Sequence, residues 1–394
     1  MNHDKVVVIG GGIIGCSIAY YLAKKGISVT LFEKHELACG ASGSNQGGVP
    51  TQLFEPPLLD LVLESQKQFT ELKELPFDFE LDKCGSVICI TEERQWPILE
   101  EHTRKLQRSG VNVSLKDGAD LRELEPNLSE DVLGASICYE DFLVNPFKLT
   151  YAFAQAAEKL GGKIYEYTEV QKIVVENGKV KSVVTSKGKV KTDYVVISAG
   201  AWSLLLLKGI KNLRLPVKPQ RGQILVTEAM PPCHFRQIID ADYLTTAFNP
   251  DIMRKSKDPR IKRGIASTLV QTKSGNWLIG SSRDFVGFDN RTTLSNLKLM
   301  VSRSLKFLPF LRYANLLRTF AGLRPYSADD LPILGEVAEV EGLLLATGHC
   351  GEGVTLAPIT GKIISEIILK GKTSIKIDKF SYSRFNSTSN EHTC

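Results

Sequence analysis

The chain has no C-x-x-C pair, no long apolar run, no large excess of either charge and no internal repeat. Each absence narrows what it can do. Eight cysteines, at 16, 39, 84, 89, 138, 233, 350 and 394, are dispersed, and Cys84 with Cys89 forms a C-x4-C pair lacking the second pair that would complete a metal site. They read as reduced thiols of a cytoplasmic protein, with no metal expected. A formal charge of +5 over 394 residues is small. The basic residues are scattered, apart from short clusters such as Arg254 to Arg263, and no aromatic-plus-basic motif accompanies them, which argues against nucleic acid as a partner. Leu204 to Leu207 is far below spanning length. The apolar N-terminal stretch imitates a signal sequence, but Asp4 before it, its glycines and the absence of a small-residue cleavage site argue against one. No membrane span is expected.

What is present starts at Val6. A β-branched run, Val6 to Ile9, reads as a buried strand and meets Gly10, Gly12 and Gly15, spaced G-x-G-x-x-G. Ile14, Ile18, Tyr21 and Leu22 follow at helical spacing, Lys24-Lys25-Gly26 reads as a helix end, and a second strand, Ser28 to Phe32, ends in Glu33. Gly10 permits the tight turn, Gly12 removes the side chain that would hold a pyrophosphate off the backbone, and Gly15 lets helix lie on strand. The helix start offers N–H groups and partial positive charge to phosphate, while Glu33 is placed to accept both hydroxyls of an adenosine ribose. The unit predicts a bound dinucleotide.

Residues 35 to 56 are rich in Gly, Ser and Asn, the composition of a linker. Directly after a dinucleotide unit, the glycines read better as backbone pressed on a ligand, with Ser42, Asn45 and Gln46 supplying hydrogen bonds. Helices are expected over Leu58–Leu75, Ile98–Gln107, Leu121–Leu124, Pro146–Leu160, Leu294–Phe307 and Ala357–Leu369. Strands are expected over Ser86–Ile90, Ala135–Tyr139, Lys163–Tyr167, Val190–Ser198, Asn276–Gly280 and Leu343–Ala346, with a hairpin across Asn177-Gly178. Asn249 to Gly264, charged and carrying Pro250 and Pro259, reads as an exposed loop, either functional or an insertion. Two strand–glycine–helix units at opposite ends with strand-rich material between them predict an α/β protein. A Rossmann-like domain, discontinuous over 1–85, 146–220 and 320–385, would carry an inserted, mostly antiparallel β domain with helices over 86–145 and 221–319. Residues 386–394 read as a disordered tail.

These residues resemble the FAD-dependent amino-acid and amine oxidoreductases of the D-amino acid oxidase, glycine oxidase and sarcosine oxidase type. The resemblance runs from Val6 to about Phe385 and rests on motifs in the family's order: the glycine unit with Glu33, Gly40-Ala41-Ser42-Gly43, and Val195 to Trp202. Arg221-Gly222-Gln223 follows, then Gly322-Leu323-Arg324-Pro325 with Asp329 or Asp330, Pro332 and Gly335, then Gly348 to Pro358. It implies FAD over Gly10, Gly12, Ile13, Ile14 and Gly15, with the adenine end near Glu33 and Lys34. Ala41 and Ser42 would lie at the phosphates, and Asn45, Gln46, Gly47 and Gly48 along the flavin. Val170 would hold the adenine through backbone groups, Ala199, Gly200 and Trp202 would complete the wall, and Gly351, Glu352, Gly353, Val354 and Thr355 would approach the pyrimidine end of the ring. The cysteine that binds flavin covalently in monomeric sarcosine oxidases would fall near Gly322, which has no thiol, so a noncovalent flavin is expected.

The resemblance also implies a small amino- or imino-acid substrate whose carboxylate is held by Arg324; the alternative for Arg324 is a salt bridge with Asp329 or Asp330. His349 contacts substrate or flavin, or is a turn histidine satisfied by backbone. Tyr326 and Tyr243 are pocket walls or ordinary packing. The ending Phe380 to Phe385 resembles catalytic subunits of multisubunit proline, hydroxyproline, opine and cyanide-forming glycine dehydrogenases, which implies a hetero-oligomer passing electrons to a partner subunit rather than to oxygen. The 249–264 stretch departs from the simpler oxidases, a departure that suits a subunit contact. Oxidation of a 2-hydroxy acid or glycerol phosphate on a similar scaffold, or a flavin-holding relay subunit, are the competing readings.

Overall fold

The alternating valines of the first strand, Lys5–Ile9, find two different partners. In the computed structural model, which describes residues 5–73, 75, 77–208, 210, 213–233, 236–245 and 250–385, Val6 and Val8 face a helical layer and Val7 and Ile9 face a small antiparallel sheet. A strand covered on both sides has no polar face, which explains its unbroken apolar run. It is central in a six-stranded sheet whose order is Ile333–Glu336, Leu343–Thr347, Tyr194–Ile197, Lys5–Ile9, Ser28–Phe32, Lys163–Tyr165. All neighbours are parallel except the first pair.

The helix Ile13–Lys24, buried along all but its last residue, packs between Pro146–Lys159 and Gly353–Lys370. Small residues make that closeness possible. A Cβ on Gly15 would lie 1.9 Å from the Gly10 carbonyl oxygen, and one on Gly361 would lie 2.5 Å from Ser17 Oγ. Ser17 Oγ donates to the Ala357 carbonyl at 2.7 Å, so backbone and side chain satisfy each other inside the seam. The opposite face is covered by Val170–Glu176, Lys179–Thr185 and Gly188–Lys191, with the hairpin turning at Asn177 and Gly178, both at positive φ.

A second sheet of eight strands runs Leu316–Ser327, Val217–Ala229, Asn276–Gly280, Thr268–Gln271, Gln237–Asp240, Ser86–Ile90, Gly134–Cys138, Val113–Asp117. It is antiparallel except where Gln237–Asp240 meets Ser86–Ile90. The fold is thus the expected α/β arrangement with a mostly antiparallel second sheet. The divisions placed at 220 and 320 fall inside the two longest strands, both of which pair within the second sheet.

Three local readings change. The single strand expected over Val190–Ser198 is two, Gly188–Lys191 and Tyr194–Ile197, because the chain crosses from the small sheet to the large one at Thr192, whose hydroxyl donates to Lys5 and Tyr194 carbonyls. The stretch read as an exposed loop, of which Asn249 lies outside the described residues, contains helices Pro250–Lys255 and Pro259–Lys262. Asp258 caps the latter, and Arg260 pairs with the fully buried Asp242, so part of this charge serves the interior. The last helix begins at Gly353, earlier than Ala357. The tail 386–394 lies outside the described residues.

Among the described residues no helix is long and apolar enough to cross a membrane, and no group of three or more His, Cys, Asp or Glu is placed to hold a metal. Gly361→Val is expected to lower stability by ~1–3 kcal/mol through overpacking against Ser17, reversing the usual gain from removing a helical glycine. Thermal unfolding of the purified chain checks it.

Candidate active site

A cavity of about 570 Å³ runs from the carboxyl ends of the parallel strands to the second sheet, where open α/β sheets receive their ligands. At one end lie Gly10, Gly12 and the start of the helix Ile13–Lys24, capped by a glycine and carrying no acidic residue in its first turn. Among the described residues the side chain that meets this helix start is Ser42, whose Oγ accepts from Ile13 N–H at 2.9 Å. Glu33 is fixed by its own backbone surroundings: Oε2 accepts from Gly11 N–H at 2.6 Å and Oε1 from His35 N–H at 2.8 Å. Lys34 pairs with Glu169 at 2.9 Å on the surface beside Val170.

Along the middle, Asn45 holds its own turn. Its amide donates to the Ala41 and Ser42 carbonyls and its oxygen accepts from Gly47 N–H. Gln46 instead reaches across to the second sheet, donating to the Thr268 and Leu278 carbonyls and accepting from Thr268 Oγ1. Gly47, at φ 77°, and Gly48 sit where a Cβ would meet Val144 O and the Gln237 amide at 1.9 and 2.2 Å. Ser198 Oγ donates to Ile9 O, and Thr347 Oγ1 donates to Gly200 O, which draws Ala199, Gly200 and Trp202 to the sheet's edge. Of the residues assigned to the cofactor from sequence, all line the cavity except Gly15, which acts as a helix spacer, and Thr355, which is buried with its carbonyl accepting from Ser65 Oγ.

The other end is built by the second sheet. Arg324 lies half-buried on the strand Leu316–Ser327, with Nη1 donating to Ser282 O at 3.0 Å and Nη2 to Ser281 Oγ at 2.8 Å. Its guanidinium lies over Gly222, where a Cβ would be 2.4 Å from both Nη atoms. The salt-bridge alternative is not realised: Asp329 pairs with Arg384 at 2.7 Å, and Arg324 has no ion pair among the described residues. Loss of water pushes the Arg324 pKa down to about 10, and the neighbouring Arg283 adds to the shift. A guanidinium so placed gains from an anion.

Arg283 escaped the sequence reading. It is buried, donates to Gly264 O at 3.2 Å and stands 4.5 Å over the Tyr243 ring. Burial alone would raise the Tyr243 phenol, but Arg283 and Arg324 outweigh it and hold the pKa below the ordinary tyrosine value. The signal available in the sequence was Gly280-Ser281-Ser282-Arg283 at the end of a strand, without the pairing that turns it inward. His349 lines the cavity wall: Nε2 meets Thr360 Oγ1 at 3.1 Å, and burial pushes its pKa down to about 3, so it stays neutral. Tyr326 lies outside the cavity, edge-on to Phe285 at 5.0 Å. The turn after Leu343–Thr347 is tied to the arginine strand by Cys350 N–H donating to Pro325 O at 3.1 Å, which brings Glu352 to the same chamber.

This arrangement, a glycine-capped helix start and a carboxylate at one end and two guanidiniums at the other, is that of a dinucleotide-dependent enzyme site with a positively charged chamber. Residues 5–367 match the family described as DAO, FAD dependent oxidoreductase, and the chain belongs to it. FAD is its cofactor, and the open helix start, Glu33 and the cavity's length fit that group. The chain is 30% identical to the hydrogen cyanide synthase subunit HcnC of Pseudomonas aeruginosa, over 96% of each chain. It is equally similar to a glycine oxidase of Geobacillus kaustophilus, over 98% of each. The solved L-proline dehydrogenase of P. horikoshii superposes with a TM-score of 0.86 at 26% identity, over 98% of each chain.

Gly222→Ala is expected to leave FAD bound while weakening carboxylate ligands about 10- to 100-fold, the ~1.5–3 kcal/mol of a charged hydrogen bond. Titration of the flavin spectrum with a simple carboxylate measures both. Replacing His349 by glutamine is expected to leave the pH dependence of turnover between pH 5 and 8 unchanged, because a histidine titrating near 3 has no proton to exchange there.

Proposed function

We propose that this chain is a dehydrogenase of a small amino or imino acid, of the proline, hydroxyproline, glycine, sarcosine, opine or D-amino acid class. The observation that carries the reading is Arg324: a desolvated guanidinium at the cavity's far end, without a carboxylate partner among the described residues and fixed by a carbonyl and a hydroxyl. A planar fork fits a planar carboxylate through two parallel hydrogen bonds, which sets position and tilt together. Arg283 and Tyr243 frame the same chamber, and Arg283 strengthens its positive potential. FAD, held along Gly10, Gly12, Glu33, Ser42 and Gly48, would supply the two-electron acceptor for the substrate Cα–H, and the oxidised substrate would be an imine open to hydrolysis. The protein's part is orientation and exclusion of water, where small misplacements are costly.

We assign a noncovalent flavin. Position 322 has no thiol, and a Cβ there would lie 2.6 Å from Ser44 Cβ, so the site near the second sheet is closed to a linking side chain. The electrons pass to a partner subunit in this reading, supported by a relative that is by name one subunit of a synthase and another named as a dehydrogenase.

The purified chain is expected to be yellow and to bleach anaerobically with one of proline, hydroxyproline, glycine, sarcosine or a D-amino acid. Bleaching only by 2-hydroxy acids or glycerol phosphate would replace the reading, and bleaching by none would favour a relay subunit. Arg324→Ala is expected to stay yellow while the substrate concentration for half-maximal bleaching rises ~10²-fold or more. Slow turnover with oxygen alone, accelerated by a co-purifying subunit or an artificial electron acceptor, checks the acceptor.

A further inference from the structure

The cavity just described shares a wall with a second one. A chamber of about 410 Å³ lies on the far side of Leu53, Tyr243, Cys350 and Glu352, and opens past Asp330 toward Ile98, Glu101 and Lys105. Glu352 is the carboxylate of this wall that borders both. It stands at the cap position of the last helix without using its side chain as a cap, and the carboxylate makes no hydrogen bond or ion pair among the described residues. Its surroundings are set by Arg324 from one strand of the second sheet, Arg283 from the segment after another, and Asp330 from the turn below. Cys350 and Tyr243 flank it on the wall. The neighbouring His349 is neutral.

The chemistry assigned to Arg324 leaves one proton unaccounted for. An amino or imino acid arrives with a protonated nitrogen, and its Cα–H cannot leave as hydride until a nitrogen electron pair is available to form the C=N bond. A base near the carboxylate clamp can accept that proton in place, and one with a pKa near the working pH does so with least loss. Burial pushes the Glu352 pKa up; Arg283 and Arg324 oppose burial, Asp330 adds to it, and the result is about 7. Asp330 itself is raised to about 6, chiefly by burial.

Resting on the amino-acid reading above, we propose that Glu352 is the acceptor of the substrate's amine proton and that the second chamber is the proton's way out. The N–H bond breaks, its electron pair stays on nitrogen, an O–H bond forms on Glu352, and the proton then passes to Asp330 or water in the outer chamber. No redox partner enters this step. The Cys350 thiol, held protonated by burial with its pKa raised to about 12, lines the path without accepting the proton.

The test is anaerobic, single-turnover bleaching of the FAD-loaded full chain by whichever amino or imino acid the screen identifies, followed across pH. For the wild type the rate is expected to be full above an inflection near pH 7 and to fall as Glu352 protonates below it. Glu352→Gln is expected to lose that inflection, to bleach ~10²- to 10⁴-fold more slowly at neutral pH, and to bind a carboxylate without nitrogen, such as propionate, at least as tightly as the wild type does. Asp330→Asn is expected to move the inflection to lower pH, since it removes an anion that favours the protonated form. An inflection retained in Glu352→Gln, or one unmoved in Asp330→Asn, would overturn the proposal. So would an altered visible spectrum of substrate-free Glu352→Gln with unchanged bleaching, which would place Glu352 in service of the flavin. Wild-type chain that bleaches with no amino or imino acid at any pH overturns the functional reading itself, a result distinct from the others.

Discussion

Two glycines facing each other across a ribbon set the terms for this site. Gly222 and Gly322 are directly opposed in the antiparallel pair of Val217–Ala229 and Leu316–Ser327, so their missing side chains leave a slot on one face of the second sheet. Arg324 lies flat in one half of the slot, over Gly222, and Ser44 of the 40–48 loop fills the other, against Gly322. A strand glycine ordinarily weakens a sheet. Here the loss is offset by letting a guanidinium and a cofactor loop come within van der Waals reach of backbone, where each is held by atoms that cannot move.

The electrostatics follow from that closeness. Two guanidiniums in one chamber repel, which adds to the loss of water in holding the Arg324 pKa down. The fold offsets the repulsion with dipoles and with a tyrosine whose phenol is made more acidic. Elsewhere buried arginines have carboxylate partners: Arg303 pairs with Asp240 at 2.6 Å, and Arg221 faces Asp284 and Asp289. Arginines paired with carboxylates and Arg324, which has no ion pair among the described residues, therefore occupy different places in the same sheet, and Arg324 faces the cavity. A net positive field in a dry recess attracts an anionic ligand more strongly than the same charges at the surface.

What could be read from sequence was whatever short-range pattern determines. The dinucleotide unit is contiguous, its strand, glycines, helix and acid separated by fixed offsets, and each stands in the structure as its spacing requires. Arg324 and the turn 348–353 were legible through motif resemblance. The approach of Arg283 was not, because it depends on the Asn276–Gly280 strand pairing with one strand far upstream and turning back at Ser281, information held in no local window. The break at Thr192 escaped for a similar reason: a β-branched run continues through it, and only the need to serve two sheets interrupts the strand. The helices within 250–262 were hidden by their charge, part of which the interior uses.

Gln46 joins the two halves of the molecule at one residue, bonded to carbonyls on adjacent strands of the second sheet while its neighbours form the cofactor loop of the first. The consequence concerns modularity. A segment carrying only the parallel sheet would keep the glycine turn and the acid that follows it, yet its loop would lack the anchor that shapes it, and the chamber would have no far wall. Exchange of substrate preference between related chains would therefore have to move the loop, the staple and the glycine ribbon together, as one inherited piece rather than as interchangeable parts.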